Sequence, residues 1–317
     1  MMEAKSAMMA MMEALEMQMK KEILPERTLY LAFCHNHQID SSGASAQIAA
    51  TFKKAGIEFE AVIGPESYIY KDLCMNLKRS IAFVSCAERM EVKLQLRSEN
   101  LEALTDQVTT LKNAQFPIAW KGEASSQLLN TLIPELPFGQ KWRLCNRSWL
   151  LWALPNPLKG DVILENMLYS PVEVISMEQP EGKAAVANLH WNLAPDYSLT
   201  ELKEMVLPKI GVTQAQWSPD MKIKQAASAA KGYAYEVIQT TLKQVLGDIL
   251  VMPGIQPKET NLQHFQGLSA NLYHITPWEL DAESLARLES GIDNRITIEQ
   301  YLQGIRFYYQ LFENILL

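Results

Sequence analysis

Thr28 to Phe33 form an unbroken apolar run, TLYLAF, with Pro25 upstream and the polar string Cys34, His35, Asn36, His37, Gln38 downstream. A run this short, rich in β-formers and bounded by polar residues, reads as a strand buried on both faces. Strands of that kind occur where helices cover both sides of a sheet. The next stretch fits this layout. Ala46, Ile48, Ala49, Phe52 and Ala55 line one face of a helix that Gly56 closes, and Phe59 to Ile63 is a second buried strand. Strand, helix, strand specifies an α/β fold. Ligand and catalytic groups in such sheets collect beyond the carboxyl ends of strands, so the string from Cys34 to Gln38 is the first candidate site.

The amino-terminal segment MMEAKSAMMAMMEALEMQMKKE has Glu3, Glu13 and Glu16 inside it and lacks the uninterrupted apolar core of a leader. It reads as a helix. Met8, Met9, Met12, Leu15, Met19 and Ile23 recur at spacings of three and four and predict an apolar stripe that packs on the sheet. At 317 residues the expectation is two domains. Hydrophobic residues make up 48% and charged residues 21%, the balance of a soluble globular protein. A net charge of -7 and a pI near 5.4, with no Lys/Arg cluster in the sequence, argue against nucleic acid as a partner, since phosphate binding needs a basic face. No stretch reads as a membrane span. Cys34, Cys74, Cys86 and Cys145 form no C-x-x-C pair, which predicts reduced, buried thiols and a cytoplasmic setting.

Ile81 to Cys86 is a further buried strand, after which the pattern changes. Glu91 to Arg97 alternates, with Val92, Leu94 and Leu96 on one side, as in a half-exposed antiparallel strand. A new domain is expected from there. Leu101 to Leu111 reads as a helix, 127 to 136 and 149 to 154 as helical turns, and 166 to 178 and 183 to 193 as extended runs joined by a Pro180–Gly182 hairpin. Ser198 and Glu201 form a capping box for a helix over 199 to 207. Helix over 226 to 246, strand over 249 to 252 and helix over 296 to 317 complete the chain. His190, alone on its strand, reads as a surface or hydrogen-bonded residue. No H-E-x-x-H, G-x-S-x-G, P-loop or G-x-G-x-x-G is present.

Several of these stretches together resemble the zinc metallopeptidase family of aminoacylase, carboxypeptidase S and the N-acyl amino acid synthase/hydrolase. The strand ending FCHNHQIDS is similar to the family's F-G-H-D-E-E-x-G-G, and PKETNLQHFQGLSANLYHITP is similar to G-x-T-D-S-R-H-Y-x-x-L-S-x-N-x-Y-x-F-x-P. AAVANLHWNLAP resembles a lid strand of the family, with His190 at its arginine. The resemblance implies a mixed-sheet α/β peptidase-like domain, incomplete at its amino terminus, formed by 1–89 and 223–317. An inserted α+β lid and dimerisation domain, a four-stranded sheet backed by two helices, would occupy 90–222. The family's H-x-D strand would precede residue 1, making the chain either a natural short protein or a fragment.

The same resemblance places the zinc site residue by residue. His37 stands at the general base, and Ala4, Gln38 and Gly64 stand at metal-ligand positions. His264 alone matches a ligand, and Asn261 replaces an aspartate three residues before it. Carboxylates are needed to bridge two dications, and alanine, glycine and glutamine cannot supply that charge. The expectation is therefore a degenerate homologue without a cofactor, serving as a binding protein for a small acyl-amino acid, a peptide or a protein partner. Exposed sheet edge left by the missing strands predicts self-association or a covering partner. The alternative is an amidohydrolase with a rebuilt single zinc site on His37, His264 and Glu66 or Asp40.

Overall fold

The computed structural model describes residues 2–21, 25–34, 43–75, 77–114, 122–147, 158–170, 172–179, 183–210, 214–217, 227–291 and 295–316. In chain order the elements are α1 (Met2–Met19), α2 (Ala44–Lys54), β1 (Val62–Gly64), β2 (Ile69–Lys71), β3 (Ser80–Glu88), β4 (Met90–Ser98), α3 (Leu101–Asn113), α4 (Glu123–Leu132) and α5 (Phe138–Cys145). Then follow α6 (Val162–Leu168), β5 (Val172–Glu178), β6 (Ala185–Leu193), α7 (Leu199–Ile210), β7 (Gln214–Trp217), α8 (Tyr233–Leu246), β8 (Leu250–Gln256), a 3-10 turn (Asn261–Phe265), β9 (Leu272–His274), β10 (Glu279–Leu280), α9 (Ala282–Ser290) and α10 (Ile298–Leu316).

β3 is the hub. Its sequence SIAFVSCAE is buried from Ile81 onward, and alternate side chains enter two different cores. Ala82, Val84 and Cys86 face α1, α8 and α10, while Ile81, Phe83 and Ala87 face α4 and α6. β3 pairs in parallel with β8 and antiparallel with β2, and at Ser85 it meets His274 of β9. β1 adds to β9 in parallel and β10 to β2, completing a six-stranded mixed sheet. The fold is mixed α/β, as the alternation of elements predicts.

A second sheet, β5-β6-β4-β7, is antiparallel. Every other residue of β6 is buried, and these side chains pack with Leu104, Val108 and Leu111 of α3 and Leu202, Val206 and Ile210 of α7. Residues 124–168, however, contribute Leu128, Leu132, Leu144, Leu164 and Leu168 to the core beneath the first sheet. Asp196, just beyond β6, joins the two bodies. Its carboxylate accepts from Ala124 N, Ser125 N and Ser125 Oγ at 3.1, 2.9 and 2.6 Å, satisfying the first amides of α4. Gly122 is required there, since a Cβ would lie 1.9 Å from Asp196 Cγ.

Several expectations need correction. Residues 28 to 34 join no ladder, and Tyr30 and Phe33 are 45% and 48% exposed, so the buried strand predicted there is absent. Tyr30 instead meets Phe52 and Phe59 edge-on at 5.2 and 5.6 Å, so side-chain contact rather than strand pairing takes up this part of the run. The methionine stripe of α1 is also displaced. Ala7, Ala10 and Ala14 are fully buried, whereas Met9, Met12 and Met19 are exposed. Small side chains allow α1 to lie close to the fold, and Gln18 donates to the Tyr309 carbonyl of α10 at 3.1 Å.

The second strand begins at Val62 rather than Phe59, and β8 runs on to Gln256. The extended run expected from 166 begins only at Val172, because Asp161 caps α6 through Leu164 N at 3.0 Å. The long helix expected from 226 starts at Tyr233. Cys34 and Cys145 are exposed, and only Cys74 and Cys86 are buried. The turns at 149 to 154 and the hairpin residues Pro180 to Gly182 lie outside the described residues. The capping box forms as predicted, with Ser198 N donating to Glu201 Oε2 at 2.7 Å and Glu201 N to Ser198 Oγ at 3.2 Å.

Candidate functional site

Three strands and a turn converge beside the end of β1. β3 ends in Glu88, β9 in His274 and β1 in Gly64, and the 3-10 turn after β8 is opened by Thr260, whose hydroxyl accepts from Leu262 N at 3.1 Å. Glu88 and His274 are each 2% exposed and lie 2.8 Å apart, Oε1 to Nε2. Thr260 donates twice to the same carboxyl, from Oγ1 at 2.5 Å and from its amide at 2.8 Å.

His274 Nδ1 lies 2.9 Å from the Pro65 carbonyl. A carbonyl only accepts, so Nδ1 carries a proton. A carboxyl receiving both Thr260 donations is best served ionised, which leaves Nε2 protonated as well and makes the pair an imidazolium and a carboxylate. Burial works to raise the pKa of Glu88, but the hydrogen bond and charge of His274 and the Thr260 donations outweigh it and hold it below its usual value. For His274 burial works downward, and the Glu88 bond and charge, the Glu66 charge and the Pro65 carbonyl carry it upward.

Around this pair the backbone is specialised. Glu66 is exposed and has φ 91, the left-handed region, with its amide donating to Thr276 Oγ1 at 2.9 Å. Ser67 donates to the Phe83 carbonyl at 2.6 Å and lies 3.0 Å from Ser85 Oγ. Arg89 is buried beside Glu88, and its Nη2 lies 3.3 Å from the Glu165 carbonyl. Burial pushes the pKa of this guanidinium down to about 10.

Residues singled out from the sequence are only partly brought together. Gly64 lies at the centre, against His274. His264 is half-buried on the 3-10 turn, where Asn261 accepts from Ser45 Oγ at 2.9 Å. Ala4 belongs to α1. His37, Gln38 and Asp40 lie outside the described residues. His190 Nδ1 lies 2.7 Å from Glu91 Oε1 on the second sheet. Glu88, Thr260 and His274 were not singled out. A glutamate ending an apolar strand and a histidine inside LYHI are signals of buried charge, but no spacing links residues 88, 260 and 274.

The described residues do not fit a dinuclear zinc centre. Alanine and glycine offer no donor atom, and a Cβ on Gly64 would sit 2.5 Å from Leu262 Cδ1 and 3.3 Å from His274 Nδ1. Glu88 and His274 already use each other. Among the described residues, no three His, Cys, Asp or Glu side chains are grouped as a metal would need.

No family model matches the chain. It is 20% identical over 336 aligned positions to the N-fatty-acyl-amino acid synthase/hydrolase PM20D1 of Mus musculus, covering 98% of this chain and 66% of that protein. To the probable carboxypeptidase S-like 2 of Dictyostelium discoideum it is 23% identical, covering 99% of this chain and 64% of the relative. The chain thus spans just under two thirds of the length of these curated relatives. Among solved structures, human carnosine dipeptidase 1 matches with a TM-score of 0.57 at 10% identity, over 98% of this chain and 72% of that one. An M20 family metallo-carboxypeptidase from Sulfolobus solfataricus matches with a TM-score of 0.54 at 12% identity, over 99% and 81%. Related in sequence to the N-acyl amino acid synthase/hydrolase and the carboxypeptidase S-like proteins, and folded like a metallo-carboxypeptidase, the chain is a homologue of the zinc metallopeptidase family.

Proposed function

We propose that this homologue is non-catalytic and acts as a binding protein for an N-acyl amino acid, a peptide or a protein partner. The observation that carries this reading is Gly64, a position at which the family places a zinc-ligating carboxylate. Here it has no side chain, and the space for one is filled by Leu262 and His274. Hydrolysis of an amide by metal-activated water needs the metal, a water of lowered pKa and a base to receive its proton. Ala4 and Gly64 remove ligands for the first requirement, and without the first the second is not met.

The test is elemental mass spectrometry on tag-free protein, run beside an assay with N-acyl amino acids and dipeptides. The expected outcome is zinc far below one equivalent and no hydrolysis, with calorimetry detecting binding of an N-acyl amino acid or peptide. Near-stoichiometric zinc that is lost when His37 and His264 are replaced by alanine would establish the rebuilt-site hydrolase instead.

A further inference from the structure

Gly64 is closed in by a continuous circuit of contacts. The Pro65 carbonyl accepts from His274 Nδ1 at 2.9 Å, and His274 Nε2 reaches Glu88 Oε1 at 2.8 Å. Glu88 in turn accepts from Thr260 Oγ1 at 2.5 Å, and Thr260 Oγ1 accepts from Leu262 N at 3.1 Å. Leu262 Cδ1 then returns to within 2.5 Å of where a Gly64 Cβ would stand. Its one cation and one anion neutralise each other within the circuit, and Glu88, Thr260, Leu262 and His274 are all buried. Four separate pieces of chain are held by it, the end of β1, the end of β3, the turn after β8 and β9.

The resemblance puts one metal-ligand position at Gly64, the last residue of β1, and another at His264 in the turn, so a dinuclear metal centre would join those two segments. Here the circuit joins them. We propose that the Glu88–His274 pair with Thr260 and Leu262 is a protein-built substitute for a metal tie, and that it excludes a metal-ligating side chain from position 64 and commits the site to metal-free ligands. The inference rests on the reading of the chain as a degenerate metallopeptidase homologue, but its test is structural. A buried ion pair is suited to this task because its members are of little use apart. Removing one partner leaves an uncompensated buried charge, whereas removing both does not.

Two thermal-melting cycles decide it. Gly64→Ala is expected to lower Tm by about 3–8 °C, through overpacking against Leu262. In a Leu262→Ala background the same change should cost less than half as much, because the opposing methyl is gone. A Gly64→Ala variant that melts like the parent overturns the proposal. So does a penalty that Leu262→Ala fails to relieve, including misfolding in both backgrounds. In the second cycle Glu88→Gln and His274→Gln each lower Tm, and the double variant melts no lower than the worse single. Additive losses would show two independent residues rather than one tie. Zinc in the parent protein would defeat the proposed function and, with it, the commitment to metal-free ligands, while the cycles alone decide whether the circuit is a tie; failure of the cycles would leave the zinc measurement standing.

Discussion

Glu88 and His274 carry opposite charges in a place with almost no water, and the pH dependence of the fold follows from how each is shifted. Glu88 has a folded pKa below its ordinary 4.5, so its contribution is present above about pH 4.5 and is lost as pH falls through the lower folded value. His274 has a folded pKa above its ordinary 6.5, so its contribution is full below about pH 6.5 and is lost as pH rises through the higher folded value. The groups facing the imidazole are Glu88, Thr260 and the Pro65 carbonyl, with the exposed Glu66 adding attraction. The pair therefore contributes most between about pH 4.5 and 6.5. Urea denaturation across pH 4 to 9 should show stability decline on the alkaline side, and Glu88→Gln should flatten that decline while costing about 3–5 kcal/mol near pH 6. An alkaline limb unchanged in Glu88→Gln would place its origin elsewhere.

At the scale of the element, periodicity was a good guide where one face is buried and a poor one where small residues do the packing. β4 and β6 alternate cleanly because α3 and α7 cover one side of their sheet, and that pattern is legible in EVKLQLR and AVANLHWNL. α1 misleads because alanine scores weakly as apolar, while Met9, Met12, Met17 and Met19, the more hydrophobic residues, are exposed and Met11 and Leu15 pack only part-buried against the core. The run 28 to 33 misleads for a different reason: composition reports apolar demand, and here an aromatic contact with α2 and Phe59 takes up part of it. Of the residues the sequence points to, Gly64 lies against the Glu88–His274 pair and Glu66 acts on it through its charge, whereas Glu88, Thr260 and His274 meet through topology alone. These assignments are open to test on α1. Ala10→Leu should destabilise by about 1–3 kcal/mol, because the buried face has no room for three more carbons. Met12→Lys, on the exposed face, should stay within about 0.5 kcal/mol. The reverse ranking in urea denaturation would restore the methionine stripe as the packed face.

For the whole molecule, the question is how the body built on β3 and the body built on β4 and β6 stay together. Their cores are separate, one pair of clusters around the six-stranded sheet and one beneath the four-stranded sheet. The chain crosses between them more than once: β4 leaves β3 directly, α4 and α6 return to the first sheet, and β5 leaves it again. Asp196 turns one of these crossings into a bond, since it belongs to the segment leaving β6 while its three donors belong to α4 on the other body. Gly122, which no side chain could replace without striking that carboxylate, fits the same contact. Asp196→Ala removes a helix cap made by a partner remote in sequence, so it should cost about 1–2 kcal/mol. It should also loosen the coupling between the bodies, which Asp196→Asn, with one acceptor oxygen where Asp196 uses two, should preserve only in part. Hydrogen exchange read by mass spectrometry separates the two effects. In Asp196→Ala the amides of α4 should exchange faster while those of β4 and β6 keep the protection their own core gives them. Uniformly faster exchange over both sheets would instead make Asp196 a general stability residue, and the two bodies a single cooperative unit.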